Sequence, residues 1–279
     1  MDGMWRVIDS GAGGAAWNMA VDEALLISAG KDNFRPTLRF FAWDRPSLSI
    51  GSFQDVSELD LGRLGERGIP LVRRPTGGRA VLHDAELTYS VTCPISSPCF
   101  PSDLMGSYKT IGGCFLRGLS LLGVEAALVP VCKGPDRKKS PPTGGGNPLC
   151  FSSRSWYEVV LGGKKLIGSA QRRLRESFLQ QGSLLMRLDV EGLVSLLKFA
   201  DEEARKRARS ALEGKMTALA EHKAGLTLDA LKGALVSGFQ GEMQAEFTPG
   251  ELTDEENGLA LRLLDEKYAR EEWNIDRAP

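Results

Sequence analysis

The chain has 279 residues, with 35 lysines and arginines against 36 aspartates and glutamates, so its formal charge is −1. A nearly neutral chain has no general attraction for polyanions, which argues against nucleic acid as a partner. Hydrophobic residues make up 42% and charged residues 25%, a composition typical of a globular protein with a buried core. No apolar run reaches the ~20 residues that cross a bilayer, and the first residues lack the order of a signal peptide. We therefore expect a cytoplasmic protein with no membrane partner.

Cysteine usage points the same way. The five cysteines are an odd number at irregular spacings, without a C-x-x-C pair and with only two histidines to accompany them. This pattern indicates neither a disulfide framework nor a zinc site, so we expect free thiols in a reducing compartment and no bound metal. The five cysteines are Cys93, Cys99, Cys114, Cys132 and Cys150.

Periodicity and turn residues predict that the first 190 residues alternate between helices and strands. Helices are predicted at residues 18–26, 56–66 and 102–122. Strands are predicted at residues 37–43, 48–51, 69–73, 80–83 and 87–93, then as a hairpin of residues 156–161 and 165–172 and a strand at 178–188. Residues 133–148 are rich in Gly and Pro and predict a mobile loop.

Beyond residue 190 the sequence predicts mostly helical structure, with helices around residues 205–212, 226–243 and 253–268. Thr227 and Thr253 lie at the starts of the second and third of these segments. A threonine hydroxyl accepts a hydrogen bond from a free backbone N–H at a helix start, so both residues are suited to cap a helix.

The densest group of candidate binding residues is Arg73-Arg74-Pro75-Thr76-Gly77-Gly78. Two cations precede a glycine pair that permits close backbone approach, which suits a carboxyl, thioester or phosphate group. A simple hairpin turn explains the same residues equally well. No P-loop or Rossmann glycine pattern occurs. His83 follows the turn beside Asp84, and it is either a residue that orients or exchanges protons or a hydrogen-bonded structural histidine.

Cys150 differs from the other cysteines because a Gly- and Pro-rich stretch precedes it and a predicted strand follows. This arrangement can place its sulfur at the rim of a pocket, although spacing alone favours a non-catalytic thiol. A catalytic thiol suits exchange with a thioester, since a few per cent of it is already thiolate at neutral pH.

Lys165 begins a predicted strand that continues with the small residues Gly168, Ser169 and Ala170. Small side chains leave room for another chain or an acyl group, while a surface cation is the alternative explanation for the lysine. Adjacent strand residues face opposite sides, so we expect Lys164 or Lys165, but not both, to face solvent.

Five blocks of the sequence together resemble the superfamily of lipoate–protein ligases and octanoyltransferases, which shares its catalytic domain with biotin protein ligases. The blocks are residues 18–24, 49–54, 73–84, 86–90 and 165–171, in the order of the family. Cys150-Phe151 followed by Ser155-Trp156-Tyr157-Glu158 resembles the octanoyltransferase branch that works through a cysteine thioester, because ATP-using ligases generally lack this cysteine.

The resemblance implies an α+β fold, with a mixed β-sheet flanked by helices, an acyl tunnel beside the glycine turn and a helical C-terminal segment. We assign residues 1–245 to the catalytic domain and residues 246–279 to a short helical extension packed on it. By position, Cys150 is the nucleophile and Lys165 assists it. Gln181 stands where relatives often have histidine, which removes a candidate base. The implied substrate-binding residues are Arg73, Arg74, Thr76, Gly77, Gly78, His83, Gly168, Ser169 and Ala170.

The implied reaction moves an octanoyl group from acyl carrier protein to Cys150, and then to a lysine of a lipoyl domain such as the glycine cleavage H protein. Thioester exchange is nearly isoenergetic and amide formation is downhill, so no cofactor is expected. Lys165 is expected to lower the cysteine pKa and polarise the acyl carbonyl. Two alternatives stay open: an ATP-dependent lipoate or octanoate ligase, with an acyl-adenylate held by Arg74, Gly77, Gly78 and Lys165, and a non-catalytic module that binds acyl carrier protein as a sensor.

Overall fold

The computed structural model describes residues 4–130 and 157–277. The strands are Met4–Gly13 (β1), Thr37–Trp43 (β2), Ser47–Ile50 (β3), Leu71–Arg73 (β4), Val81–His83 (β5), Glu86–Pro94 (β6), Ala127–Pro130 (β7), Tyr157–Leu161 (β8), Lys164–Arg173 (β9), Ser177–Leu185 (β10) and Glu246–Pro249 (β11). The α-helices are Ala15–Ser28 (α1), Leu61–Glu66 (α2), Leu104–Leu121 (α3), Val190–Ser195 (α4), Glu202–Lys215 (α5), Leu228–Met243 (α6) and Asp254–Leu263 (α7). The loop predicted at residues 133–148 and Cys150 lie outside the described residues.

Two β-sheets organise this part of the chain. The large sheet has the strand order β11-β1-β2-β6-β10-β9-β8-β7, and the small sheet has the order β4-β3-β5. In the large sheet β1 is parallel to both of its neighbours, and the other pairings are antiparallel. The predicted α+β fold, a mixed sheet flanked by helices, is confirmed.

Helices cover both faces of the large sheet. On one face α3 and α6 bury Phe115 and Phe239 against Trp5 and Tyr89 of the sheet. The two helices approach closely because both carry glycine at their contact: a Cβ atom on Gly238 would lie 2.4 Å from the backbone nitrogen of Gly118. On the other face α1 packs its apolar side against β2. A separate core joins the small sheet to α2, α4 and α5.

Several predicted elements agree closely with the structure. The strand at residues 37–43 and the hairpin of β8 and β9 are present, and Gly162 and Gly163 form its turn with φ angles of 58° and 76°. Both predicted helix caps are confirmed, since Thr227 accepts a hydrogen bond from the N–H of Ala230, and Thr253 accepts one from the N–H of Glu256.

Other elements differ from prediction. The predicted helix at residues 56–66 is divided into a 3-10 turn, Val56–Glu58, and α2, because the Asp60 carboxylate caps a new helix start. The strands β1, β7 and β11 were not predicted. β11 lies in the part predicted to be mostly helical, and it forms because β1 offers a parallel edge to it. The predicted boundary between the catalytic domain and the C-terminal extension, after residue 245, falls between α6 and β11. This division of the chain stays a prediction.

Within the described ranges, no helix combines the length and the apolar character needed to span a bilayer.

Candidate active site

A cavity of about 330 Å³ lies between the small sheet, the middle of the large sheet and the start of α3. Most of the predicted site residues line it together: Arg74, Thr76, Gly77, Gly78, His83, Lys165, Gly168, Ser169 and Ala170. The cavity is also lined by residues that were not predicted, among them Met19, Trp43, Ser49, Thr88, Leu104, Tyr108 and Ser183. Several of these lie inside the family blocks, which is the signal that could have found them. Cys150, the predicted nucleophile, lies outside the described residues.

The glycine turn is held against the loop after β3. Gly78 has a φ of 102°, a left-handed conformation that favours glycine. A Cβ atom on Gly51 would lie 2.1 Å from the carbonyl oxygen of Gly78, so glycine is required there as well. The N–H of Ser52 donates to the carbonyl of Thr76 at 2.9 Å and closes the contact. The turn is therefore a fixed wall of the cavity.

Arg74 braces this turn from inside. Its guanidinium donates to the carbonyl oxygens of Gly77 and Arg79, and its Nη1 donates to Ser49 Oγ at 3.0 Å. The side chain is buried, so these charge-assisted hydrogen bonds are shielded from water. Arg74 thus lines the cavity while it holds the turn in place.

Arg73 is also buried. It was predicted to bind the substrate, but it is not among the residues that line the cavity. Its guanidinium donates to the carbonyl oxygens of Gly51 at 3.1 Å, Gln54 at 2.7 Å and Asn274 at 3.0 Å. Neighbouring residues in sequence alternate between faces, so Arg73 points away from the turn that Arg74 fills. Arg73 ties the C-terminal segment to the loop beside the cavity.

Lys165 faces the cavity and is buried, and its Nζ lies 2.9 Å from Glu158 Oε1 on the neighbouring strand. Lys164 has its Nζ on the carbonyl of Glu213 at the end of α5, 2.9 Å away. The expectation that the two lysines face opposite sides is confirmed. The site therefore contains a cation held in a place of reduced water access, where its field on a neighbouring group is stronger than in bulk water.

Gln181 connects the turn to a buried ion pair. Arg39 Nη1 donates to Asp22 Oδ1 at 2.7 Å, and the Gln181 amide nitrogen donates to the other oxygen of Asp22. Because an ionised carboxylate only accepts, the amide oxygen of Gln181 is left to accept from Thr76 Oγ1, at 2.7 Å. Burial lowers the pKa of Arg39, and Asp22 opposes this shift. Gln181 thus holds Thr76 in place and has no role as a base.

Replacing Gln181 with leucine is expected to lower the free energy of unfolding by about 2 kcal/mol, because the buried Asp22 and Thr76 each lose a hydrogen-bond partner. Urea denaturation followed by circular dichroism measures the change. Gln240→Leu, on the half-exposed face of α6, is the matched control and is expected to change stability little. Equal effects of the two substitutions would contradict the role given to Gln181.

His83 is the centre of a second buried network. Its Nε2 lies 2.7 Å from Ser49 Oγ, and its Nδ1 lies 2.6 Å from Glu86 Oε1. Ser49 Oγ also accepts a hydrogen bond from Arg74, and the carboxylate of Glu86 accepts one from His83 Nδ1–H. Both ring nitrogens of His83 therefore have hydrogen-bond partners. Trp43 stacks on the ring, with centroids 4.0 Å apart and planes 14° apart.

Glu86 is ionised in this network. Burial opposes ionisation of its carboxyl group, but the charge and hydrogen bond of His83, with hydrogen bonds from Thr88 and Ser183, hold its pKa below the ordinary value. His83 lines the cavity and has hydrogen-bond partners at both ring nitrogens, while a role in proton exchange stays a prediction.

Two described cysteines are unsuited to nucleophilic chemistry. Burial raises the pKa of Cys93 to about 12, and burial also raises the pKa of Cys114. Both thiols stay protonated at neutral pH and lie in the core, Cys93 on β6 and Cys114 on α3. Cys99 is half-buried, and Cys132 lies outside the described residues. Within the described ranges, no group of three or more His, Cys, Asp or Glu side chains is arranged to hold a metal ion.

Comparisons with known proteins agree with this geometry. Residues 14–240 match the model of the lipoyl protein ligase A/B catalytic domain. The octanoyltransferase LipM of Kyrpidia tusciae is 44% identical over 273 residues, which cover 97% of this chain and 98% of that protein. The octanoyltransferase LipM of Bacillus subtilis is 37% identical over 277 residues, 98% of each chain.

A solved structure from Thermoplasma acidophilum, described as a bi-partite lipoate protein ligase and its E2 lipoyl domain, superposes with a TM-score of 0.81. The two sequences are 27% identical, and the superposition covers 100% of this chain and 98% of the Thermoplasma acidophilum chain. The chain therefore belongs to the lipoyl protein ligase A/B catalytic domain family, and the resemblance seen in the sequence is confirmed.

Proposed function

We propose that this chain takes an octanoyl group from acyl carrier protein onto Cys150 and passes it to a lysine of a lipoyl domain. The chain is an acyltransferase of lipoate biosynthesis, since relatives at 37–44% identity over nearly their whole length are octanoyltransferases. The observation that carries the fuller mechanism is the buried Lys165 ammonium in the wall of a cavity whose other walls include the family's glycine turn.

In the first half-reaction the Cys150 thiolate attacks the thioester carbonyl of the donor. The bond between the carbonyl carbon and the donor sulfur breaks, and the donor thiolate takes up the proton that Cys150 released. The Lys165 ammonium stabilises the attacking thiolate, and it donates a hydrogen bond to the oxygen that becomes negative in the transition state. Glu158 orients the ammonium for both tasks.

Cys150 lies close in the sequence to the hydrogen-bond partner of Lys165. Cys150 precedes Tyr157, the first residue of β8, by seven positions. Glu158, which follows Tyr157, accepts a hydrogen bond from Lys165.

In the second half-reaction the amine of the acceptor lysine attacks the Cys150 thioester. The C–S bond breaks, an amide forms, and a proton from the amine returns to the cysteine sulfur. The lipoyl-domain acceptor is supported by the Thermoplasma acidophilum relative, whose structure is described with its E2 lipoyl domain. The glycine cleavage H protein is a second acceptor under this proposal. A free nucleophilic thiol needs a reducing compartment, so we place the reaction in the cytoplasm.

The binding residues fall into two groups under this proposal. Substrate contact is assigned to the turn residues Thr76, Gly77 and Gly78 and to the small residues of β9, namely Gly168, Ser169 and Ala170. Arg74 and Arg73 act on the substrate through the turn and loop that they hold in place, because their guanidinium groups are bonded to backbone carbonyl oxygens.

The energy source tests the proposal. A transferase starts from an activated thioester, so octanoyl-acyl carrier protein and a lipoyl domain are expected to give octanoyl-lysine without ATP or Mg²⁺. Intact-protein mass spectrometry is expected to find a thioester adduct on this chain and an amide adduct on the lipoyl domain. Free octanoate or lipoate with ATP is expected to give little product.

The opposite outcome identifies the alternative enzyme. Efficient modification from free lipoate and ATP, with no cysteine adduct, would replace the transferase with an ATP-dependent ligase in which the glycine turn and Lys165 hold an acyl-adenylate. Binding of octanoyl-acyl carrier protein without any transfer would indicate the non-catalytic module.

A further inference from the structure

The cavity crosses the large sheet from one strand to another. Lys165 lies on β9, Ser183 on β10, Thr88 on β6 and Trp43 on β2, and these four strands are consecutive neighbours. Neighbouring strands lie about 4.8 Å apart, so the three intervals span about 14 Å. The reacting end of an acyl chain belongs beside Lys165, so the other end of the chain points towards Trp43.

A bonded group of polar side chains closes this far end. Glu86 Oε1 accepts hydrogen bonds from His83 Nδ1 at 2.6 Å, from Ser183 Oγ at 2.9 Å and from Thr88 Oγ1. Trp43 Nε1 donates to Thr88 Oγ1 at 2.9 Å, and the Trp43 ring covers His83. We call the His83–Glu86 pair with these partners the polar floor. Its centre is the ionised carboxylate of Glu86, whose side chain is only 1% exposed.

A second cavity, also of about 330 Å³, lies behind the polar floor. Glu86 lines this second cavity, whereas the residues that donate to its Oε1 line the first. Glu86 Oε2 is buried with no hydrogen-bond partner among the described residues. The other lining residues are apolar, among them Leu185, Leu193, Leu212 and Met216, except for the charged residues Asp84, Arg187 and Asp189. The carboxylate therefore separates two spaces that are each large enough to hold several methylene groups.

We propose that the polar floor sets the longest acyl chain that this enzyme accepts, by closing the first cavity against the second. The inference rests on the proposed acyl transfer. An apolar chain end cannot replace the hydrogen bonds of a buried carboxylate, so it cannot displace Glu86 or His83. Because each side chain of the floor is bonded to another, the floor also has little freedom to rotate aside.

The lengths agree with a medium-chain substrate. Each C–C bond of an extended chain advances about 1.25 Å, so octanoyl is about 9 Å long and tetradecanoyl about 16 Å. Octanoyl fits within the span of about 14 Å from β9 to β2, whereas tetradecanoyl exceeds it. Opening the floor would add the second cavity to the space available.

The test compares acyl carrier protein loaded with octanoyl, decanoyl, dodecanoyl or tetradecanoyl groups as donors to a lipoyl domain. The wild-type protein is expected to use tetradecanoyl with kcat/KM at least 100-fold below that for octanoyl. In His83→Ala and Glu86→Ala the ratio of tetradecanoyl to octanoyl kcat/KM is expected to rise at least tenfold. Wild-type protein that uses both donors equally, or a variant with native circular dichroism and the wild-type ratio, would overturn the proposal.

A variant in the second cavity is the matched control. Leu193→Phe fills that space and is expected to leave the wild-type ratio unchanged, because the closed floor keeps the acyl chain out. Combined with His83→Ala, it is expected to restore discrimination against tetradecanoyl. Continued use of tetradecanoyl by the double variant would show that the chain does not enter the second cavity, which contradicts the proposal.

The same assay separates this inference from the proposed function. If the wild-type protein transfers no octanoyl from the carrier, the proposed function fails. If the wild-type protein transfers octanoyl, but none of these substitutions changes the ratio of tetradecanoyl to octanoyl kcat/KM, the proposed function stands and only the role of the polar floor is wrong. Equal use of octanoyl and tetradecanoyl by the wild-type protein would overturn the proposal even where a floor variant does not fold.

Discussion

Replacing Cys150 with serine is expected to abolish octanoyl transfer, with a fall in rate of at least ~10³-fold, because the proposed nucleophile is a thiolate. A thiol has a reference pKa of about 8.5 and supplies some thiolate at neutral pH, whereas a serine hydroxyl stays protonated without a strong base beside it. The rate of octanoyl-lysine formation on a lipoyl domain measures the loss. Intact-protein mass spectrometry is expected to find no thioester adduct on the variant.

Other cysteines provide the controls for this prediction. Cys99→Ser and Cys132→Ser are expected to keep the wild-type rate and the adduct. Cys93 and Cys114 are poor competitors, since burial raises the pKa of each thiol. If Cys150→Ser octanoylates a lipoyl domain at close to the wild-type rate, another group is the nucleophile and the proposed mechanism is wrong.

Replacing Lys165 with alanine is expected to slow acylation of Cys150 at neutral pH by about 10- to 100-fold, because a nearby cation lowers a thiol pKa by about 1–2 units. The sign follows from the charge: the ammonium favours the thiolate, so its removal raises the cysteine pKa. The rising limb of acylation rate against pH is therefore expected to move to higher pH. Single-turnover acylation, measured across a pH series by mass spectrometry, tests this shift.

Lys164 is the matched control for Lys165. It precedes Lys165 on β9, but its ammonium lies on the carbonyl of Glu213, outside the cavity. Lys164→Ala is expected to acylate at close to the wild-type rate, with an unchanged pH profile. Equal losses in the two variants would show that the effect comes from the strand and not from the charge in the cavity.

Local features of the fold could be predicted from the sequence because neighbouring residues cause them. The turn at Gly162 and Gly163 requires positive φ angles, which glycine adopts at low cost, and Thr253 caps α7 through the N–H of Glu256, three residues away. The strands β1 and β11 carry no such local signal. β11 has four residues and forms through its pairing with β1, which is more than 230 positions away in the sequence.

The candidate site also has features that the sequence predicted and features that only the fold shows. The family blocks predicted that Arg74, Thr76 and Lys165 share one pocket, and the cavity contains all three. The sequence did not distinguish the roles of the two arginines. Arg73 donates a hydrogen bond to the carbonyl of Asn274, some 200 positions later, so only the folded chain shows that it does not line the cavity.

The sequence by itself determined the fold class, the family and most of the residues that line the cavity, because glycine turns, helix caps and motif blocks are local or positional properties. Only the tertiary structure decided which distant polar groups pair: Gln181 with Asp22 and Thr76, and Glu86 with Ser183. The physical reason is that a buried polar group takes its partners from whichever segments the fold brings within hydrogen-bond distance. Separations of about 100 positions or more, as between Ser183 and Glu86, leave no pattern along the chain.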